Sequence, residues 1–283
     1  MSGTPTLEVP GYQVVQFLGS GARSTIWQIR DRQTGQLYAL KRVVKRQRSD
    51  YRFLEQAVNE YETASQLDHP NIRRIYRLRR VKRWLSLREI HLVMELCEGT
   101  TVQDARPDNV LDAVNIFTQV AQGLAYMNAK GFVHADMKPN NILVAPSGAI
   151  KIIDMGQSCP IGMIKDRIQG TPDFIAPEQV RRQPLDGRTD VFNFGAALYW
   201  TLTGRPIPTI LPKNGGVTFK SDLAITAPEQ YNPDVSAPVS KLVIDCIDLN
   251  PARRPQTMSE VAGRLGLIAH TLKRRDAVSE QDT

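Results

Sequence analysis

His134-Ala-Asp-Met-Lys-Pro-Asn-Asn-Ile-Leu-Val-Ala-Pro-Ser-Gly-Ala-Ile-Lys-Ile-Ile-Asp-Met-Gly156 sets an aspartate, a lysine and an asparagine in one loop, with a second aspartate beyond a short hairpin. Apolar Ile142 to Val144 and Ile150 to Ile153 flank a Pro-Ser-Gly turn, which predicts a β-hairpin with Asn141 and Asp154 at opposite ends. These residue types suit phosphoryl transfer. Asp136 can orient a hydroxyl nucleophile, Lys138 can neutralise the migrating phosphoryl group, and Asn141 with Asp154 can hold metal ions on nucleotide phosphates.

Working outward, Gly19-Ser20-Gly21-Ala22-Arg23-Ser24-Thr25-Ile26 has the look of a phosphate-covering turn, and Tyr38-Ala39-Leu40-Lys41 that of a strand carrying a buried lysine. Ala176-Pro177-Glu178, Asp190-Val191-Phe192 and Arg254-Pro255 follow in order. The ordered set resembles a eukaryotic-type (Hanks-type) serine/threonine protein kinase catalytic domain, from about Tyr12 to about His270. The resemblance implies an α+β, two-lobed fold, with ATP and Mg2+ or Mn2+ as cofactors and proteins bearing Ser or Thr as substrates. It assigns Gly19, Ser20, Gly21 and Ser24 to the phosphates, although the family's third glycine is Ser24 here. Ile26 and Ala39 would cover the adenine from above and Leu143 from below, with Glu95 and Cys97 on the segment leading to the connecting backbone at Glu98-Gly99-Thr100. Lys41, flanked by Leu40 and Val43, needs a partner to stay charged, and the family's spacing before the His69-Pro-Asn turn makes that partner Glu60. Thr171, in Gly170-Thr171-Pro172, would brace Asp136 and Lys138. Asp190 would anchor the catalytic loop and Arg254 would pair with Glu178. The Asp-x-Lys-Pro-x-Asn pattern resembles the serine/threonine branch.

Two departures carry information. The family's His-Arg-Asp is His134-Ala135-Asp136, so the arginine that receives an activation-loop phosphate is missing, and Cys159 to Gly170 contains no Ser, Thr or Tyr. Together they imply an activation segment that orders without phosphorylation. Met155 stands in place of phenylalanine, a softer filling of similar volume. A catalytically silent nucleotide-binding scaffold and a small-molecule phosphotransferase are the competing readings. The complete set of Lys41, Glu60, Asp136, Lys138, Asn141 and Asp154 speaks against the first, and Glu178, Asp190 and Arg254 against the second.

At 283 residues and 41% hydrophobic content, the chain suffices for one two-lobed catalytic domain. The sequence divides into a first lobe over 12–98, a second over 99–272 and a polar tail over 273–283. No apolar run approaches a membrane span, Met1 to Pro10 lacks a leader pattern, and the three scattered cysteines, Cys97, Cys159 and Cys246, suit a reducing, cytoplasmic setting. The formal charge of +7 is lopsided. Residues 1–98 hold 17 Lys and Arg against 10 Asp and Glu, whereas residues 99–283 hold 19 of each. Arg73, Arg74, Arg77, Arg79, Arg80, Lys82, Arg83 and Arg88 crowd one stretch. Such a cluster can meet an acidic partner, anionic lipid or nucleic acid, or be a solvated strand face; an acidic docking partner is the functional reading and nucleic acid is not expected.

Short β-rich runs predict strands over Tyr12 to Leu18, Thr25 to Arg30 and Leu37 to Val44, then Ile72 to Val81 and Arg88 to Leu96. Helical spacing of apolar residues predicts helices over Arg52 to Leu67, Asn109 to Lys130, Arg188 to Thr203, Pro238 to Leu249 and Met258 to Leu272.

Overall fold

Strand β1 (Tyr12–Ser20) runs antiparallel to β2 (Ser24–Asp31), and β2 to β3 (Leu37–Val44). The β2–β3 turn is fixed by Asp31, whose carboxylate accepts the amides of Gln33 at 2.8 Å and Thr34 at 2.9 Å, the local bonding that makes aspartate a turn former. Helix α1 (Tyr51–Ala64) follows, then β4 (Ile75–Arg83) and β5 (Ser86–Met94). β5 inserts beside β3, so the sheet order is β1-β2-β3-β5-β4 with β4 at an edge. The computed structural model describes residues 7–21, 23–208 and 225–279; Ala22 of the glycine-bearing turn and 280–283 of the polar tail lie outside them.

Buried Leu54, Ala57, Glu60, Thr63 and Ala64 form one stripe of α1 at three- and four-residue spacing. Helix α1 stops three residues before the predicted end because Gln66 and Leu67 donate to Thr63 and Ala64, three residues back, and tighten the chain out of the α-helical pattern. Strand β4 starts later than predicted for a tertiary reason. Ile72 forms a parallel bridge with Ile152, and the Ile152 amide donates to the Asn71 carbonyl at 2.7 Å. The chain accordingly divides into two compact units, Met1–Asp68 with Arg73–Glu98, and His69–Ile72 with Gly99–Thr283. The predicted first segment over 12–98 thus gives up His69–Ile72, whose backbone bonds lie with residues of the second.

In the second unit come β6 (Thr100–Thr101), α2 (Val110–Ala129), β7 (Phe132–Val133), β8 (Ile142–Val144), β9 (Ile150–Ile152) and β10 (Cys159–Pro160). Helices α3 (Pro177–Val180), α4 (Gly187–Thr203), α5 (Ala237–Cys246) and α6 (Met258–Ser279) follow. The class is α+β as read from sequence. Asn109 caps α2 by accepting the Asp112 amide at 2.8 Å, and Asp186 caps α4 by accepting that of Arg188 at 2.8 Å; each cap is worth about 1 kcal/mol. The core between α2 and α4 centres on Phe117 and Phe194, fully buried and edge-to-face at 5.3 Å, and full burial of such a ring contributes about 2–3 kcal/mol. At Gly195 a Cβ would lie 2.5 Å from the Cys246 Cβ, so α4 and α5 meet there only because the side chain is missing.

Candidate active site

The loop that begins at His134 is built on a buried carboxylate. Asp190, at the start of α4 and wholly buried, accepts the amides of His134 at 3.0 Å and Ala135 at 2.9 Å and the side-chain amide of Asn128 at 2.8 Å. Burial pushes its carboxyl above the ordinary range, against the lowering by His134 and these donors. Ala135 turns through φ +60, and its carbonyl accepts the Gln179 side-chain amide at 2.7 Å.

The next residues close a triangle. Asp136 accepts the Lys138 ammonium at 2.9 Å on one oxygen and the Thr171 hydroxyl at 2.9 Å on the other, while Lys138 also donates to Thr171 at 2.8 Å. Asp136 is only 9% exposed, so a charge there needs both partners. Pro139–Asn141 form one 3-10 turn, from which buried Asn141 donates its side-chain amide to the Asp136 carbonyl at 2.8 Å.

Asn141 and Asp154 do not lie at opposite ends of the hairpin. Ile142 pairs with Ile152, and the Ile153 amide donates to the Asn141 carbonyl at 2.9 Å. Antiparallel pairing returns the end of β9 to the start of β8 and brings the two polar residues to the same end. Asp154 holds φ +65 and accepts the Gly156 amide at 3.3 Å, while Met155 beside it is buried. Leu143 lies in the middle of β8, paired with Thr101 and Lys151.

In the first unit Lys41 and Glu60 meet at 2.6 Å, with Glu60 1% exposed. Arg73 stands 3.9 Å from the other Glu60 oxygen, a second cation that sequence spacing gave no cue to. Gly19 and Ser20 end β1, and the Gly21 amide donates to the Ser24 carbonyl at 2.9 Å. A Cβ on Gly21 would come within 2.9 Å of the Ser24 hydroxyl, a contact that rotation of the serine side chain would relieve. Ile26 sits opposite Lys41 in the sheet, and buried Ala39 opposite Gln28 and Met94. Glu95 accepts the Arg74 amide at 3.1 Å, and the Cys97 thiol lies 3.7 Å from the Glu95 carbonyl.

The segment from Asp154 to Glu178 is held mostly by backbone. β10 pairs with β7, Ile161 donates to Gly131 at 2.9 Å, Gly162 to Leu185 at 2.7 Å and Leu185 to Met163 at 3.0 Å. The Lys165 ammonium donates to the Gln157 carbonyl at 2.6 Å. Gln179 is a hub that the sequence reading missed: it bonds the carbonyls of Ala135 and Gln169 and accepts from Ala176 and Asn193. Glu178 pairs with fully buried Arg254 at 2.8 and 3.0 Å and accepts the Thr189 hydroxyl at 2.9 Å.

A sequence profile for the protein kinase domain matches residues 12–264. A probable serine/threonine-protein kinase of Corynebacterium efficiens is 30% identical over 95% of the chain and 42% of its own length. Sperm motility kinase 2B of Mus musculus is 31% identical over 88% of the chain and 50% of its length. The serine/threonine-protein kinase PrkC of Bacillus subtilis is 27% identical over 88% and 39%. The chain therefore spans half or less of the length of these curated relatives.

Proposed function

The chain belongs to the protein kinase domain family, and from that premise we propose that it transfers the γ-phosphoryl group of ATP to serine or threonine hydroxyls of protein substrates. The observation that carries this reading is the closed triangle of Asp136, Lys138 and Thr171. Two bonds fix the Asp136 carboxylate in one orientation and leave lone pairs for an incoming hydroxyl. The substrate oxygen bonds to the γ-phosphorus, the bond from that phosphorus to the β–γ bridging oxygen breaks, ADP departs, and the hydroxyl proton passes to Asp136. Lys138 supplies positive charge for the migrating group, in the manner of preorganised electrostatic stabilisation.

Asn141 and Asp154 offer hard oxygen donors from one end of a hairpin, the chemistry magnesium or manganese takes. Because Asn141 spends its amide nitrogen on the Asp136 carbonyl, its oxygen is the end left for an ion. When bound, the divalent ion would neutralise charge on the nucleotide phosphates. Lys41, held by Glu60, is assigned to those phosphates, as is the turn of Gly19, Ser20, Gly21 and Ser24. Ile26, Ala39 and Leu143 are assigned to the adenine faces, and Glu95 and Cys97 to the adenine edge. The buried Glu178–Arg254 pair supports a protein rather than a small-molecule substrate. Activation without activation-segment phosphorylation is supported by Ala135 and by the backbone bonds that already hold the segment.

The exposed cations of strand β4 suit an anionic binding surface. Among the described residues no helix is long and apolar enough to cross a membrane, and the small number and scatter of the cysteines, Cys97, Cys159 and Cys246, support a cytoplasmic setting. Incubation with radiolabelled ATP, magnesium or manganese and a generic basic protein, followed by phosphoamino-acid analysis, tests the reading. Label on phosphoserine or phosphothreonine is expected; no transfer, or label on tyrosine alone, overturns it.

A further inference from the structure

Strands β4 and β5 are joined by a turn of two residues, Trp84 and Leu85, with Arg83 paired to Ser86 across it. Trp84 is 93% exposed and Leu85 99%, more than any other large apolar side chain among the described residues. Trp84 also holds φ +57. Two-residue hairpin turns place Gly, Asn or Asp at such a position because a bulky L-residue there crowds its own backbone. The tip thus carries two costs at once, a strained backbone and two apolar side chains in water, and an outlier of that kind points to use.

The tip is framed by cations. Arg79, Arg80, Lys82 and Arg83 are exposed, and alternation along β4 sends them to both faces of the strand. None of the four forms an ion pair with a described residue, and the one acid on β5, Glu89, is held by Arg42 at 2.7 Å through two bonds. Because β4 is an edge strand, charge on it also discourages unwanted strand pairing. Edge protection accounts for the cations but not for Trp84 and Leu85, which it would exclude. A purely electrostatic contact with an acidic protein would use the cations alone. A single-stranded nucleic acid would stack on Trp84 and find nothing in Leu85. Tryptophan and leucine ringed by arginine and lysine match the interfacial zone of an anionic bilayer, where an aromatic ring sits at headgroup depth and cations meet lipid phosphates.

We propose that the β4–β5 turn is a membrane-docking tip, which seats Trp84 and Leu85 at the headgroup level of an anionic bilayer while Arg79, Arg80, Lys82 and Arg83 bind lipid phosphates. Vesicle flotation tests it, with phosphatidylcholine alone and phosphatidylcholine mixed with phosphatidylglycerol, and needs no phosphoryl transfer. The mixed vesicles should capture the 283-residue chain, and capture should weaken with salt. Changing the four cations to Gln should lower partitioning by at least about a hundredfold. Trp84→Gly with Leu85→Ser should lower it by about tenfold with the salt dependence retained. Since glycine relieves the left-handed backbone, that double variant should melt no lower than the parent, which separates lost docking from lost folding. Failure of the mixed vesicles to capture the chain overturns the proposal, as does capture that the tip variant leaves unchanged. Retention on polyglutamate or a single-stranded oligonucleotide without vesicle capture would assign the surface to an acidic protein or a nucleic acid instead.

Discussion

Asp136 and Asp154 carry the same functional group in different surroundings, and the difference decides how each should fail. Asp136 is gripped by Lys138 and Thr171, so the capacity left to its carboxylate is what we assign to a substrate hydroxyl. Asp154 receives the Gly156 amide and lies at the hairpin end beside Asn141, where its negative charge suits an ion. Asp136→Asn should cut phosphoryl transfer by about 10²–10⁴-fold with nucleotide affinity retained, as loss of a positioned acid–base group does. Asp154→Asn should instead weaken magnesium-dependent ATP binding. Initial rates and calorimetric titration on both variants check the split, and wild-type-like turnover in either would remove the assigned roles. That Asp136, Lys138 and Asn141 share one loop was legible in the sequence because phosphoryl-transfer chemistry restricts residue type and spacing together, and the structure brings Asp154 to the Asn141 end of the hairpin. Gln179 and Arg73 were not: a glutamine bonding a main-chain carbonyl, or an arginine within 4 Å of a buried carboxylate, follows no spacing rule.

Among the elements, the stretch from β10 to α3 has most to explain, because phosphorylation commonly orders the activation loop of protein kinases. Here its order comes from the β7–β10 pairing, the Ile161, Gly162 and Leu185 backbone bonds, and Lys165 on the Gln157 carbonyl. Burial pushes the Lys165 ammonium below the usual lysine range, so this strut is a partly desolvated cation. Ser158 is buried, with its hydroxyl 3.5 Å from the His134 carbonyl, and as folded it offers no accessible hydroxyl. Exhaustively dephosphorylated protein should therefore keep most of its activity and start without a lag, and Ser158→Ala should leave that comparison unchanged. A loss of about tenfold in initial rate, roughly 1.4 kcal/mol in the barrier, would mean that a phosphate does activate the chain. The longer helices and the five strands of the first sheet were visible from periodicity. The two-residue strands β6, β7 and β10 were not, since pairing across the fold makes them and nothing in two residues of local sequence announces it.

Over the whole molecule, charge and fold divide differently. The excess of seven positive charges falls within residues 1–98, yet His69–Ile72 of that stretch belong with the second unit. The charge division can be counted from the sequence. The excursion cannot, because it rests on a backbone bond between Asn71 and Ile152. In the first unit, Glu89 is held below the usual carboxylate range by its two bonds from Arg42, against an upward push from burial. Burial pushes Asp50 up, but the amides of Gln47 and Arg46 and the Arg23 guanidinium outweigh it. A carboxylate with a lowered folded value contributes stability in full above its unfolded value, 4.5 for Glu89, and loses it as pH falls through the folded value. In the second unit Asp186 acts in the same sense, whereas Asp190 acts oppositely: its raised folded value means that protonation on acidification is taken up more readily by the folded state. The first unit, already cationic, should therefore soften first in acid as its paired carboxylates are neutralised. Glu89→Gln removes one of them, so its deficit against the parent should be full above 4.5 and shrink as pH falls below it through the lowered folded value, where the parent's own Glu89 takes up a proton. Urea midpoints of parent and variant across that range measure it, and a deficit that stays constant from neutral to acid pH would show that the Arg42 pair is not the source of the first unit's acid sensitivity.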